Sequence, residues 1–596
     1  MLKEHPKGLI VAFFANMGER FGFYTMMAIL VLFLQAKYGL SAEKAGSIYS
    51  WFYFAIYALA LFGGMLADYT KKYKTVILFG QIIMFAGYLL LSVPGLSLSV
   101  TISGLFVIAL GNGLFKGNLQ AVVGQLYDDP KYSKYRDSAF MVFYMGINVG
   151  AFYAPFAATG IRNWWLRANG FLHDGSLPSL CHQYINGTLK DTKELQSLAE
   201  KVSINGHVAD LTAFTHNYID VFSRGYNYAF GIAAGALIIS LIVYIVFNNL
   251  LPNKEKPVKI SGVKIDTGGT LKAAIAIGTA FLLGAIIYYV TDRNIDLAFA
   301  FGLFIGFITW MLQISTSEER PRVTALLLVF VVVIFFWMSF HQNGLTLTLF
   351  ARDYTFKAVD AFTILFFDLY RIHAVIAAIA GVVLLMGKKN TVNLKFAGAI
   401  LTIAGGSLSY YFYSRGQAQN AISPEIFQSF NPLFIVALTF PVMGFFNWLN
   451  KKGLEPSTPR KIGYGMIIAA IGFALILFSS LNLISPHDLN GHAVPDSSRV
   501  SPYWLMSIYL ILTVAELCLS PMGLSFVSKV APTRFQGLMQ GGWLLATAVG
   551  NKLLFVGTWA WDKLPLWEIW SIFITCCLVS AAFMFSMLRR LEKVTK

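Results

Sequence analysis

Residues 323–340 read VTALLLVFVVVIFFWMSF, a run of eighteen positions without a single charged side chain. A helix needs about 20 apolar residues to cross a bilayer core that is about 30 Å thick. Because lipid offers no hydrogen-bond partner to a bare backbone, such a run must be helical inside a membrane. The stretch therefore predicts a transmembrane helix, which we place over residues 323–351.

The same pattern recurs from one end of the chain to the other. Of the 596 residues, 56% are hydrophobic and 13% are charged, and the mean hydropathy is +0.62. Soluble domains carry about 25% charged residues, far more than this chain. The strands of outer-membrane barrels alternate apolar and polar residues, a pattern that this sequence does not show. We predict an all-α polytopic membrane protein with sixteen spans, near residues 9–36, 45–68, 75–95, 99–125, 138–160, 226–250, 269–290, 294–314, 323–351, 362–387, 394–413, 431–450, 460–484, 502–528, 535–558 and 566–588.

The distribution of Lys and Arg predicts the orientation, because short cytoplasmic loops carry an excess of both. With the N-terminus in the cytoplasm, the cytoplasmic basic clusters lie near 71–74, 131–136, 254–264, 388–389 and 451–452, and after Arg589. The formal net charge of +16 is accounted for by this topology. It does not indicate nucleic-acid binding, which needs a basic soluble face. We expect both termini in the cytoplasm and the chain in the inner or plasma membrane.

Signals for enzyme chemistry are missing from the sequence. It contains no glycine-rich phosphate loop ending in Gly-Lys-Ser or Gly-Lys-Thr, no His-Glu-x-x-His zinc motif and no paired-cysteine metal spacing. We therefore expect no enzymatic activity, no cofactor and no metal. Among the four cysteines, Cys181 alone lies outside the predicted spans, so no structural disulfide is predicted.

Ionisable residues inside the apolar spans are the main functional signal, because charge is costly in lipid. They are Glu19 and Arg20 in the first span, Lys116 in the fourth, His341 in the span at 323–351 and Glu516 in the span at 502–528. The alternative is that these groups pair only to hold helices together. For Asp368 and Arg371, which lie one helical turn apart near a membrane surface, we favour that structural interpretation.

Six motifs, in the same order along the chain, resemble those of the proton-coupled oligopeptide transporters, a branch of the major facilitator superfamily. Residues 16–24 resemble the motif Glu-x-x-Glu-Arg-Phe-x-Tyr-Tyr, and residues 63–68 resemble the loop between helices two and three. The other four lie at 143–150, at 336–344, at 431–435, and at 516–524 with Trp543 in the next helix.

This resemblance implies the major facilitator fold, in which two six-helix bundles hold the substrate between them near mid-membrane. The bundles would cover residues 1–250 and 321–596, and residues 251–320 would be a linker with two extra helices. A polar insertion at 161–222 and a second helix pair near 362–413 are not part of the common pattern. Four transmembrane helices would thus be added to the twelve of the bundles.

The resemblance also implies a site for a zwitterionic peptide. Arg20 and Lys116 would bind its carboxylate, Glu516 its ammonium group, and Asn148 its backbone. The residues that would line side-chain pockets are aromatic: Tyr24, Tyr57 and Trp543. For proton coupling, Glu19 would alternate between protonation and a contact with Lys116, and proton uptake would let the bundles rock.

Three positions depart from the family pattern. Asn16 stands in place of the first Glu of its motif, and His341 stands in place of the acid usual in helix seven. Met27 stands where many members carry an Arg that pairs with that acid. The loss of both partners leaves no orphan charge but implies that outward closure is held differently. Since an imidazole titrates near neutral pH, His341 is a candidate for part of the coupling.

The expected function is proton-driven uptake of di- and tripeptides by a monomer. Asn16 motivates an alternative, an uncoupled or differently coupled carrier of another small solute, such as nitrate, another small anion or a metabolite. A non-transporting membrane receptor that senses peptides is the alternative from another class. An exporter of amphipathic drugs is disfavoured, because paired cationic and carboxylate sites suit a zwitterion.

Overall fold

The computed structural model describes residues 5–133, 135–252, 267–388, 390–489, 491–532 and 536–595. Lys134, Lys389 and the basic cluster at 254–264, which entered the orientation prediction, lie outside the described residues. The side chains at 520–524, part of the last family motif, are likewise not described. The described chain is overwhelmingly helical, as predicted.

Six long helices and an insertion make up the first bundle. They are α1 (Gly8–Tyr38), α2 (Ala42–Thr70), α3 (Tyr73–Ser92), α4 (Leu98–Gln125), the short α5 (Pro130–Ser133), α6 (Arg136–Ala168), the insertion helices α7 (Leu177–Ile185) and α8 (Lys193–Val202), and α9 (Leu211–Val246). Helix α1 packs between α6 and α9, and α4 packs on α2 and α3. The turn after α1 is made by Gly39, whose φ of 63° is the left-handed conformation that ends helices.

The second bundle contains two helices that break within the membrane. After the pair α10 (Thr267–Val290) and α11 (Ile295–Ile314) come α12 (Arg320–Phe340), a 3₁₀ turn (His341–Gly344), α13 (Thr346–Tyr354), α14 (Leu369–Met386), α15 (Val392–Ser414), α16 (Phe430–Lys451), α17 (Thr458–Ser480), α18 (Pro502–Val530), α19 (Gln536–Lys552), α20 (Phe555–Lys563), α21 (Leu566–Ser586) and α22 (Leu588–Thr595). Helices α12, α16, α17, α18, α19 and α21 pack on one another. The two bundles meet where α2 contacts α19 and α20, and where α6 contacts α16.

Fifteen helices in the described part of the chain are long and apolar enough to cross a membrane. They match fifteen of the sixteen predicted spans. The remaining span, near 535–558, is divided between α19 and α20. The break follows two polar residues, Asn551 and Lys552, whose side chains bind groups on other helices.

The polar insertion is shorter than predicted. Helix α6 continues to Ala168 and α9 begins at Leu211, so both helices extend into the segment 161–222 that was predicted to lie outside the bundle. The side chain of Asp210 caps α9 by accepting a hydrogen bond from the backbone N–H of Ala213 at 3.0 Å. Only residues 169–210, with α7 and α8, form the insertion itself.

Each extra helix pair packs as a hairpin through small residues. A side chain on Gly405 of α15 would overlap the backbone of Ala378 in α14, and one on Gly302 of α11 would overlap Ala280 in α10. Close approach at small residues is how helices associate in lipid. Asp368 caps α14 by accepting from the N–H groups of Tyr370 and Arg371, in agreement with its structural interpretation.

A short antiparallel pairing closes the base of the second hairpin. Strand β1 (Ala358–Val359) lies before α14 and β2 (Asn420–Ala421) lies after α15, with Ala358 opposite Ala421. These strands, the insertion at 169–210, the turn at 39–41 and the loop at 485–500 all lie at one end of the bundles. We call this end the insertion face.

We predict that two adjacent glycines in α2 respond differently to substitution. A Cβ on Gly63 would overlap the carbonyl oxygen of Gly113 in α4, whereas a Cβ on Gly64 has no heavy atom within 4 Å. Gly63→Ala should destabilise the protein by about 1–3 kcal/mol through overpacking. Gly64→Ala should be neutral or stabilising, because alanine is the better helix former. Thermal unfolding in detergent micelles measures both, and equal effects would contradict this packing.

Candidate functional site

Glu19 and Arg20 form a buried ion pair on α1. The guanidinium donates two hydrogen bonds to the carboxylate, from Nε at 2.5 Å and from Nη2 at 2.6 Å. The amide of Asn112 on α4 adds a third, at 2.6 Å to Oε1. Arg20 also lies over the ring of Phe23, 4.7 Å from its centroid. The Glu19 carboxylate is therefore held entirely by groups of the first bundle.

Lys116 of α4 lies next to this pair without joining it. Its Nζ lies 4.0 Å from the centroid of the Tyr57 ring, a cation–π contact. Within the described part of the chain it has no ion pair, so the contact with Glu19 considered from the sequence is not formed in this structure. The side chain is partly exposed although it lies in mid-helix. A cavity therefore reaches an ammonium group that has no anionic partner.

Glu516 of α18 is the corresponding carboxylate of the second bundle. It is buried, and its Oε2 accepts a hydrogen bond of 3.1 Å from the amide of Asn431, on α16. That amide also donates to Thr513 at 3.0 Å. Among the described residues no cation pairs with Glu516. A buried carboxylate with one neutral donor retains most of its capacity to bind a cation.

Two tyrosines lie between the charges of the two bundles. Tyr24 and Tyr57 each lie within electrostatic range of both Arg20 and Glu516. Both rings are partly exposed. The partial exposure of Lys116, Tyr24 and Tyr57 indicates an open cavity between the bundles, with the cations on one side of it and the carboxylate on the other.

Asn148 and Trp543 occupy different positions relative to this cavity. Asn148 of α6 donates to the backbone carbonyl of Tyr144, one turn earlier, at 3.0 Å. Tyr144 lies within range of Glu516, which places this part of α6 at the cavity. Trp543 is buried and packs edge-on against Phe330 inside the second bundle, with centroids 6.3 Å apart. Its described contacts do not join it to the other predicted site residues.

His341 connects the two bundles. Its ring is sandwiched between Trp337 and Tyr53, with both centroids 4.7 Å away. Nδ1 lies 2.6 Å from the amide oxygen of Asn551, and Nε2 lies 3.3 Å from the hydroxyl of Tyr53 on α2. With that amide orientation, Nδ1 carries the proton and Nε2 accepts one from the tyrosine. In its neutral form, His341 thus presents an acceptor to the first bundle.

The other two departures from the family pattern are packed without charge. Asn16 is buried and donates a long hydrogen bond, 3.4 Å, to the backbone oxygen of Phe143 on α6. Met27 is buried among apolar side chains. Neither position offers an ion pair between the bundles.

A fully buried ion pair between the bundles was not predicted from the sequence. Arg162 on α6 and Glu425, in the 3₁₀ turn before α16, form an ion pair in which both side chains are fully buried. Tyr226 shares the pair, with its hydroxyl 3.2 Å from both residues, and Ser423 accepts from Arg162 at 3.1 Å. Both charges lay just beyond the predicted limits of their spans, so neither was counted as intramembrane.

This ion pair lies in a closed interface at the insertion face. Next to it, Ser429 donates to the backbone oxygen of Phe152 at 2.9 Å, and Gln428 donates to that of Ala28 at 3.3 Å. Each bond joins a residue of the second bundle to a helix of the first. With the insertion face closed, the partial exposure of Lys116 and Tyr57 indicates access from the opposite face.

Comparisons of the whole chain with known proteins agree on one family. A family model described as PTR2, POT family, matches residues 73–395 and 412–558. The chain is 26% identical over 582 residues to the uncharacterized transporter YclF of Bacillus subtilis, which covers 94% of this chain and 89% of the relative. It is 26% identical over 563 residues to the peptide transporter YePEPT of Yersinia enterocolitica, covering 92% and 86%. Dipeptide and tripeptide permease A of Escherichia coli is 25% identical over 558 residues, covering 92% and 83%.

Solved structures show the same fold. A crystal structure of the peptide transporter POT in complex with sulfate matches with a TM-score of 0.64 at 23% identity, covering 99% of this chain and 96% of that one. A POT family transporter in complex with 5-aminolevulinic acid matches with a TM-score of 0.63 at 22% identity, covering 99% and 97%. The predicted major facilitator fold is confirmed.

We predict that breaking the Arg162–Glu425 pair is costly, whereas removing it entirely is not. Glu425→Ala leaves a buried guanidinium without its counter-ion, so the free energy of unfolding should fall by about 3–5 kcal/mol. Arg162→Met combined with Glu425→Leu should recover most of that loss. Thermal unfolding in detergent micelles provides the comparison.

The control is Asp220→Ala, which breaks the exposed pair between Asp220 and Arg224 on α9. An exposed pair contributes about 0–1 kcal/mol, so this variant should unfold close to the parent. A Glu425→Ala variant as stable as Asp220→Ala would contradict the assigned role of the buried pair.

Proposed function

This chain belongs to the POT family, and on that premise we propose that it is a secondary transporter that takes up di- and tripeptides together with protons. The observation that carries the proposal is the separation of the cavity's unpaired charges. The ammonium of Lys116 is on the first bundle and the carboxylate of Glu516 is on the second. A zwitterion is the ligand class that satisfies both charges at once.

In this proposal the peptide connects the two bundles. Its carboxylate binds Lys116 and Arg20, and its ammonium group binds Glu516. The amide of Asn148 contacts the peptide backbone. Since these groups belong to different bundles, a bound peptide favours the arrangement in which the bundles approach each other at the open face. Such a difference in affinity between two states is what drives alternating access.

The packing of Glu19 suggests how a proton enters the cycle. Arg20 donates two hydrogen bonds to Glu19. A peptide carboxylate that recruits Arg20 would withdraw those donors and leave Glu19 to bind a proton or to pair with Lys116. Substrate binding and proton binding would then be linked through one guanidinium.

His341 is the proposed second proton-binding group. Its Nε2 accepts from Tyr53 of the first bundle, and a proton on Nε2 would reverse that hydrogen bond, since a phenol hydroxyl also accepts. The imidazolium would then lie within electrostatic range of the Lys116 ammonium on the first bundle and be repelled by it. Protonation of His341 would therefore favour separation of the bundles at that point. The family position held by an acid would here be served by an imidazole.

The site lies in a protein that crosses a membrane many times, and we propose the inner or plasma membrane as its location. Both termini would be cytoplasmic, which makes the insertion face extracytoplasmic and the described conformation open to the cytoplasm. A monomer contains every residue that the proposed site needs. Asn16 favours the second candidate, an uncoupled or differently coupled carrier of another small solute, such as nitrate, another small anion or a metabolite. A non-transporting receptor that senses peptides is the candidate from another class.

Counterflow of labelled dialanine tests the substrate class, because it needs no proton gradient. Proteoliposomes loaded with unlabelled dialanine should accumulate label with the parent chain, and Glu516→Gln should lower the initial rate at least tenfold. Glu318→Gln, at an exposed position, should leave the rate unchanged. Counterflow excludes a receptor. A Glu516→Gln variant as active as the parent would contradict the proposed ammonium site.

The proposed role of His341 predicts a selective defect. His341→Gln keeps the polar contacts but cannot hold an extra proton, so peptide-induced proton currents should fall at least fivefold while counterflow falls less than twofold. His207→Gln, in the exposed part of the insertion, should change neither. Currents recorded on solid-supported membranes between pH 5.5 and 7.5 provide the measurement. Parallel losses in both assays would indicate a packing role instead.

A further inference from the structure

Three segments of this chain are additional to the twelve helices of the bundles, and each contacts the opposite bundle or both bundles at the insertion face. They are the insertion at 169–210, the pair α10–α11 and the pair α14–α15. These contacts have no direct role in substrate binding, because none of the three segments reaches Lys116 or Glu516 in the described structure.

The insertion at 169–210 belongs to the first bundle and binds loops of the second. Asp174 pairs with Lys357, whose Nζ lies 2.6 Å from Oδ2 and 2.8 Å from Oδ1. Burial raises the pKa of the Asp174 carboxyl, but the charge and hydrogen bonds of Lys357, with those of Ser176, outweigh this and bring the pKa to about 2. Farther along, Glu194 accepts from the backbone N–H of Ala493 at 3.0 Å.

The pair α10–α11 contacts both bundles through one carboxylate. Asp296, at the start of α11, lies 2.7 Å from the ammonium of Lys552 on α19 and accepts from Ser47 on α2 at 3.0 Å. Lys552 is fully buried and also donates to Ser50 of α2 at 2.9 Å. Asp296 and Lys552 therefore form a buried link at the point where α2 meets the second bundle.

The pair α14–α15 belongs to the second bundle and contacts α6 of the first. The ring of His373 on α14 stacks on that of Tyr153 at 5.4 Å, with an angle of 22° between the planes. Its Nε2 lies 2.7 Å from the tyrosine hydroxyl. This pair is the main polar contact of an otherwise exposed hairpin, and it again joins groups of different bundles.

We propose that these three added segments together form a brace that holds the insertion face closed, in addition to the buried Arg162–Glu425 pair. The brace is defined by the contacts Asp174–Lys357, Asp296–Lys552 and Tyr153–His373. Met27 and His341 supply no ion pair between the bundles, so closure in this chain must be held by other groups, and the three added segments supply such groups. The inference rests on the alternating access of the proposed function but not on the identity of the substrate.

The brace makes opening a concerted event. Rotation of the bundles away from each other at the insertion face must separate Asp174 from Lys357 and Tyr153 from His373, because each of these contacts joins opposite bundles. It must also break the hydrogen bonds that join Asp296 and Lys552 to Ser47 and Ser50 of α2. Lys357 is partly exposed, so its pair separates into water. Lys552 is fully buried and loses the hydroxyl of Ser50 as α2 moves away. We therefore expect a resting population dominated by the closed insertion face.

Distances between spin labels at the insertion face test the brace directly. Ser99, at the start of α4, and Asn482, after α17, are exposed and lie on different bundles. They would be replaced by cysteine and labelled in a chain carrying Cys576→Ser, since the other three native cysteines are buried. In nanodiscs the parent should show mainly the short distance. Combining Asp174→Asn with Asp296→Asn should raise the ratio of long to short distances at least threefold.

Charge reversal and a matched control separate the brace from general destabilisation. Asp174→Lys together with Lys357→Asp, as the only brace substitutions in the spin-labelled chain, should give the parent's distribution of distances. The reason is that the ion pair is restored with opposite polarity. If Asp296→Asn alone prevents folding, Asp296→Asn with Lys552→Met removes both charges and serves in its place. Glu455→Gln, which breaks the ion pair with Lys461 inside the second bundle, should leave the distances unchanged.

Unchanged distances in the Asp174 and Asp296 variants would overturn the proposal, as would an equal shift in Glu455→Gln. The outcome is independent of the transported substrate. A shift in distances without dialanine counterflow by the parent would retain the brace and reject the peptide assignment. Counterflow by the parent without any shift in the variants' distances would retain the peptide assignment and reject the brace.

Discussion

The cost of placing charge in an apolar helix bundle is the constraint on which this structure depends. Each buried ionisable group must find a counter-ion, a set of hydrogen-bond donors or a water-filled cavity. Glu19 with Arg20, and Arg162 with Glu425, satisfy the requirement by pairing. Lys116 and Glu516 do not pair within the described residues and instead border the cavity between the bundles. The difference between these two classes of buried charge separates structural groups from candidate binding groups.

The same constraint explains why the two faces of the protein differ. At the insertion face, the bundles approach closely and their charges are paired across the interface, with little need for water. Away from that face, the tyrosines and Lys116 remain accessible although they lie in mid-helix. In an alternating-access carrier, the closed arrangement with paired charges and the open arrangement with accessible side chains must alternate between the two faces. Pairs that cross the interface are then the groups whose energies set the balance between the two conformations.

The fold was predictable from the sequence to the extent that it depends on apolar length and the family motifs. Fifteen predicted spans are confirmed, because runs of apolar residues leave no other structure in lipid. The ends of the helices were less predictable. Residues 161–168 and 211–225 are polar enough to resemble a loop, yet they continue α6 and α9 beyond the apolar core, where α9 packs on α7. The division between α19 and α20 depends on partners of Asn551 and Lys552 that are distant in the sequence.

The candidate site shows the same limit. Arg20, Lys116 and Glu516 stand out in a sequence, since each is a charge inside an apolar run. Which of them has a partner, and on which helix that partner lies, cannot be read from the sequence. The amide of Asn112 on Glu19 and that of Asn431 on Glu516 become visible only when the helices are packed. Trp543 was selected through a motif and packs on Phe330 within the second bundle. Arg162 and Glu425 were not predicted as buried charges because they lie just outside the predicted spans 138–160 and 431–450.

The most direct measurement is uptake of labelled dialanine into proteoliposomes containing the unmodified chain, with and without an inward proton gradient. The proposed mechanism predicts accumulation above the external concentration when the gradient is present. It predicts only equilibration when the gradient is collapsed by a protonophore. Equilibrating uptake that is indifferent to the gradient would contradict proton coupling, and the absence of uptake by folded, inserted protein would contradict the assignment to peptides.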